Sequence, residues 1–154
     1  MASTTASGIK NRVANGVWVS AVVAGLAAGI AMGVVESVRG AIPTIGALYG
    51  VPTFAAGWVT HLSHSVMLAL VFGVVVSRAP LREYARRLST GTALGTGYGV
   101  VLTVITGGIV LPLWLMAIGV PNAPSVPNLS LIDLFNHLVY GVVFGADYPL
   151  VRNR

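Results

Sequence analysis

Three histidines, two carboxylates and one carboxamide are the side chains here whose type and spacing suit chemistry. His61 and His64 stand in VTHLSHSVML, Asp133, Asn136 and His137 in LIDLFNHLVY, and Glu36 closes GLAAGIAMGVVE. Positions three or four apart share one face of a helix, so His61 turns with His64, and Asp133 with Asn136 or His137. Three kinds of site fit this set. Histidine titrates near neutral pH and carboxylates can take its proton onward, which suits a proton-responsive or transport-associated site. Neutral imidazole with carboxylate also suits zinc, iron, copper or nickel, with His61, His64 and His137 as the ligands, and one histidine from each of two helices suits haem b. In the third reading the imidazoles bond carbonyls, hydroxyls or water and hold helices together in a purely structural or scaffolding subunit. The residues leave these alternatives open, and no cofactor is required by the sequence.

The elements that must carry these residues are membrane helices. Hydrophobic residues make up 55% of the chain and charged residues 8%, and the mean hydropathy is +0.84. Four apolar stretches, near 16–37, 58–77, 92–118 and 131–150, reach the about 20 residues that cross a bilayer core. Four such helices in 154 residues would leave a soluble fold almost no polar surface. The expected fold is an all-α, four-transmembrane-helix bundle, a single integral membrane domain over 1–154. The first stretch is too long for a signal h-region and lacks a convincing cleavage site, so it reads as a retained helix.

Basic residues set the expected orientation. Lys10 and Arg12 precede the first span, Arg78, Arg82, Arg86 and Arg87 separate the second from the third, and Arg152 and Arg154 end the chain, against Arg39 alone on the other side. Lys and Arg stay cytoplasmic, which places both termini in the cytoplasm of a multi-pass plasma (inner) membrane protein. The net charge of +5 is accounted for by this asymmetry, so no nucleic acid partner is expected. Partners are the lipid bilayer and, through any groove left open, a second copy or a larger membrane complex. The absence of cysteine excludes disulfides, thiolate metal sites and cysteine nucleophiles. Ser63 and Ser65 flank His64, but no nucleophile elbow, triad spacing or HExxH is present, and no enzyme activity is expected.

The chain also repeats itself. Gly25, Gly29 and Gly33 are matched by Gly91, Gly95 and Gly99, Gly50-Val51-Pro52 by Gly119-Val120-Pro121, and Phe72-Gly73 by Phe144-Gly145. Two helix-loop-helix halves follow, about 16–78 and 90–151, with parallel topology about an axis along the membrane normal. Glycines four apart leave a groove for close helix packing. The first and third helices can use these grooves on each other, or one groove can face a second copy.

With Trp58 and Leu131 as outer helix ends, His64 and His137 each lie about 9 Å deep at about 1.5 Å per residue. All three histidines, Glu36 and Asp133 thus gather in the outer half. The apolar connection 38–57 reads as an interfacial helix or a cap over this site, and 119–130, with Pro121, Pro124 and Pro127, as a stiff connector. Ser130 and Asp133 have the spacing of a helix-capping pair.

GLAAGIAMGVVE at 25–36, VTH at 59–61, the Pro112, Gly119 and Pro121 region, and NHLVYG at 136–141 together resemble the YagU-type family of small bacterial inner-membrane proteins. The resemblance implies Thr60-His61 and His137 as shared polar positions, with His64 particular to this chain, and it implies a proton-linked role. The outer loop after the first helix is shorter than that family tends to have.

Overall fold

Residues 16–38 and 54–76 contain no proline, so nothing interrupts their backbone ladders, and both run as continuous helices. The computed structural model describes residues 2–154, with side chains from Gly16 onward. The side chains of Lys10 and Arg12 lie outside the described residues. In chain order the elements are α1 (Ala2–Val38), α2 (Ile42–Ala47), α3 (Phe54–Val76), α4 (Leu81–Tyr84), α5 (Leu88–Leu102), a π-helical segment (Thr103–Val110), α6 (Leu111–Ala117) and α7 (Leu131–Arg152). The fold is all-helical, with no strand among the described residues.

Among the described residues, three stretches are long and apolar enough to cross a membrane: Gly16–Val38, Phe54–Val76 and Leu88–Ala117, the last running through α5, the π segment and α6. They are consistent with an integral, multi-pass membrane protein. The fourth expected span, 131–150, is helical as α7 but does not stand with these three, because Asp133, Asn136, His137 and Asp147 interrupt its apolar run. Its packing offsets that polarity. α7 lies against both α1 and α5, while α3 lies against α1, so α7 buries Asn136, Tyr140, Phe144 and Tyr148 among its neighbours.

Small residues set how closely the helices approach. A methyl group added to Gly25 would come 2.5 Å from Ala69 Cβ, and one on Gly29 2.6 Å from Ser65 Oγ, so this groove receives α3. On Gly95 it would come 2.5 Å from Gly145 Cα, and on Gly99 3.1 Å from the His137 carbonyl carbon, so the second groove receives α7. The first and third spans therefore use their grooves on α3 and α7, not on each other. In this register Ala69 stands where Gly145 does and His61 where His137 does, about one turn away from the alignment that the two Phe-Gly pairs suggest.

Aromatic rings pack together in the core of the bundle. Tyr140 stacks on Phe144 at 5.8 Å, and Phe72 meets Phe144 edge-on at 4.8 Å and Tyr148 at 5.8 Å. The Tyr140 hydroxyl donates to the Ser65 carbonyl at 2.7 Å, and that of Tyr98 to the Leu68 carbonyl at 2.8 Å, tying α7 and α5 to α3. Most other hydroxyls satisfy themselves within their own helix, as a hydrocarbon surrounding demands. Ser20, Ser37, Ser63, Ser65, Thr96 and Thr103 each donate to the carbonyl four residues back.

The connections 39–53 and 118–130 each contain the same turn. Gly50 and Gly119 adopt left-handed φ values of 76° and 74°, the conformation that favours glycine after a helix. Val51 N–H then donates to Gly46 at 3.2 Å, and Val120 N–H to Leu115 at 2.9 Å, each reaching five residues back. α2 packs against α3, while 119–130 folds back so that Asn128 N–H donates to the Gly108 carbonyl at 2.9 Å.

Candidate functional site

The π segment has a local cause. Pro112 has no N–H to give, which frees a carbonyl one turn earlier, and Gly107-Gly108 let the backbone widen without a side-chain clash. Leu111 N–H reaches back five residues to Thr106, and the Gly108 carbonyl is taken by Asn128. Gly107 also makes room for a histidine, since a methyl there would lie 3.3 Å from His137 Cε1. Thr106, in the widened turn, faces α7, where its hydroxyl meets His137.

A cavity of about 460 Å³ lies between α1, α2, α3, the π segment, α6 and α7. Its walls include Glu36, His61, His64, Asp133 and His137, five of the six polar side chains singled out from the sequence. Asn136 is the exception. It is fully buried behind the wall, where its Nδ2 donates to Glu36 Oε1 at 2.5 Å. Its Oδ1 is a buried acceptor with no hydrogen-bond partner among the described residues. Glu36 also faces Arg39, with 3.7 Å between the charged atoms.

The three imidazoles have different tasks. His61 Nε2 lies 2.9 Å from the Gly29 carbonyl; a carbonyl only accepts, so this nitrogen carries a proton and the bond ties α3 to α1. Trp58 stands edge-on to the same ring at 6.0 Å, in space that Gly33 leaves open. His64 Nε2 is 2.9 Å from the Tyr49 hydroxyl, and its ring forms a cluster with Trp114 at 6.3 Å and Tyr49 at 5.8 Å. His137 Nδ1 lies 2.8 Å from the Asp133 carbonyl and must donate to it. Its Nε2 lies 3.0 Å from Thr106 Oγ1, and the same hydroxyl is 2.5 Å from the Leu102 carbonyl.

Asp133 is held at the start of α7. Ser130 Oγ accepts the Asp133 N–H at 3.1 Å and donates to its carboxylate at 2.6 Å, the capping arrangement that the spacing suggests. Among the described residues no three His, Asp or Glu side chains converge as a metal site would require. The ring nitrogens of His137 and Nε2 of His61 and His64 already have hydrogen-bond partners, so ligation through them would break those bonds. Ser63 and Ser65 donate to Val59 and His61 carbonyls rather than to an imidazole.

No family model, no curated protein and no solved structure matches the chain.

Sequence reasoning reached the histidines and acids but not Tyr49, Trp114 or the π turn that supports them. Gly107-Gly108 four residues ahead of Pro112 inside an apolar span is the signal for that turn.

Proposed function

We propose that this chain is a four-span plasma-membrane protein, with both termini cytoplasmic, whose outer-half cavity is a proton-responsive, transport-associated site. The fourth span is α7. Its 22 residues reach about 33 Å at about 1.5 Å per residue, enough for a core of about 30 Å. Leu131, Ile132, Phe135, Val142 and Leu150 form its exposed face and are all apolar, as contact with lipid requires. Two parallel repeats account for the paired glycine grooves and the paired left-handed turns. The likeness to the YagU-type family belongs with the same reading.

One observation carries the proton-responsive role: Thr106 holds a single hydroxyl proton between two acceptors. While the His137 ring is neutral, its Nδ1 proton is committed to Asp133, so Nε2 and the Leu102 carbonyl compete for the Thr106 proton. When the ring gains a proton, Nε2 donates to Thr106 and the hydroxyl turns wholly to Leu102. Every partner is then satisfied, with no heavy atom displaced. The π segment is thus bonded differently in the two protonation states, which couples an external proton to the third span. His61, by its bond to Gly29, serves packing.

The test is reconstitution of the wild type and His137→Gln in liposomes, with helix accessibility followed between about pH 5 and about pH 8, which bracket the histidine transition. Accessibility around 103–110 should change with pH in the wild type and stay constant in the variant. Identical behaviour of the two would remove this function.

A further inference from the structure

We propose that the outer cavity binds a hydrophobic organic cation, a compact lipophilic amine or onium ion, taken laterally from the outer leaflet. The inference rests on reading this cavity as the functional site and names the class of molecule that it accepts.

Size comes first. About 460 Å³ lies in the range of drug-sized ligand sites and is far more than a bare ion needs. The lining is mainly hydrocarbon, from Met32 and Leu68 through Leu102 to Leu111, so the occupant must offer apolar surface.

Charge comes next. Ionisable groups reach the cavity from three sides: Glu36 of α1 with Arg39 in the turn that follows it, His61 and His64 of α3, and Asp133, His137 and Tyr140 of α7. α2 contributes Thr44, the π segment Thr106 and α6 Trp114, none of them ionisable at neutral pH. With neutral imidazoles, two carboxylates face one guanidinium, leaving one net negative charge in a space of low dielectric. An anion is repelled there and a cation is stabilised. The His64–Trp114–Tyr49 cluster adds aromatic faces of the kind that attract organic cations.

The access route is visible in the exposure of the walls. Met67 of α3 and Ile105 and Val110 of the π segment both line the cavity and are exposed on the outside of the bundle. They frame a gap on the lipid-facing side between α3 and the third span. Tyr140 lines the cavity and is backed by the stacked ring of Phe144. A proton taken by His137 brings the cavity to zero net charge, so proton and organic cation oppose one another for the same space.

Equilibrium dialysis of the detergent-solubilised full chain with tetraphenylphosphonium, and with the isosteric anion tetraphenylborate, tests this. At about pH 8 the phosphonium should bind saturably at one per chain, with affinity about tenfold or more weaker in Glu36→Gln and in Met67→Trp, and the borate should not saturate. Met67→Trp narrows the cavity at its lipid-facing wall without touching the charged groups, so it remains informative if Glu36→Gln fails to fold. Borate binding as tight as phosphonium binding, or phosphonium binding indifferent to both substitutions, would overturn the proposal. Saturable cation binding that does not weaken at about pH 5 would support the ligand class while removing the proton reading. Accessibility that responds to pH in a protein that binds no phosphonium would remove the ligand class alone.

Discussion

His137 Nε2 and Thr106 Oγ1 stand 3.0 Å apart across the third span and α7, and the same Thr106 hydroxyl lies 2.5 Å from the carbonyl of Leu102. One proton therefore sits between a titratable ring and the backbone at the head of a π turn. The pairing depends on three sequence features at once: Pro112, which frees a carbonyl; Gly107, which clears space for the ring; and Asp133, whose carbonyl fixes Nδ1 as a donor.

Thr106→Val keeps the shape of this side chain and removes its hydroxyl. The loss should cost about 1 kcal/mol where the ring is neutral and about 2 kcal/mol where it is charged, because hydrogen bonds to charged groups are the stronger ones. Denaturation in mixed micelles at about pH 8 and about pH 5 should therefore show the larger penalty at the acid value. A penalty that is equal at both, or larger at the alkaline one, is the contrary result.

Gly95 and Gly97 provide a matched pair in one helix. A methyl on Gly95 meets Gly145 Cα at 2.5 Å, whereas one on Gly97 meets nothing within 4 Å. Gly95→Ala should destabilise the protein by about 1–3 kcal/mol through overpacking. Gly97→Ala should be neutral or gain up to about 1 kcal/mol from helix propensity. Unfolding of the two variants side by side decides it, and equal effects would show that α7 does not lie in that groove.

The orientation can be read by labelling, since the wild type has no cysteine. Tyr84→Cys and Ser125→Cys place thiols at exposed positions in two different connections. An impermeant maleimide applied to intact cells should label position 125 and leave 84 unmodified until the membrane is opened. The opposite pattern would invert the topology.

Much of this arrangement was legible in the sequence because the bilayer imposes simple rules. Length and apolarity mark 16–37 and 58–77, of which the second helix starts four residues earlier, at Phe54, and Ser130 with Asp133 announces the start of α7. Counting residues gathers His61, His64 and His137 toward one end of their helices, and all three line one cavity, although the packing register matches His137 with His61 rather than with His64. Packing register was not legible. Glycine grooves state that a helix approaches but not which one, and the Phe-Gly pairs suggest an alignment one turn away from that set by Gly25 against Ala69 and Gly91 against Gly145. The role of each imidazole depends on tertiary partners: Gly29 lies 32 residues from His61, and Thr106 lies 31 from His137. Apolar counting also treats α7 unfavourably, because it cannot register that Asn136 turns toward Glu36, 100 residues away in the chain.

The most direct measurement is ¹⁵N NMR of the His137 imidazole in lipid nanodiscs, with His61→Gln and His64→Gln in the background so that one ring is observed. At about pH 8 the ring should be neutral, with the proton on Nδ1 and none on Nε2, and towards about pH 5 both nitrogens should carry protons while the Thr106 environment shifts in step. A neutral ring protonated on Nε2, or a ring that does not titrate across this range, would contradict the account.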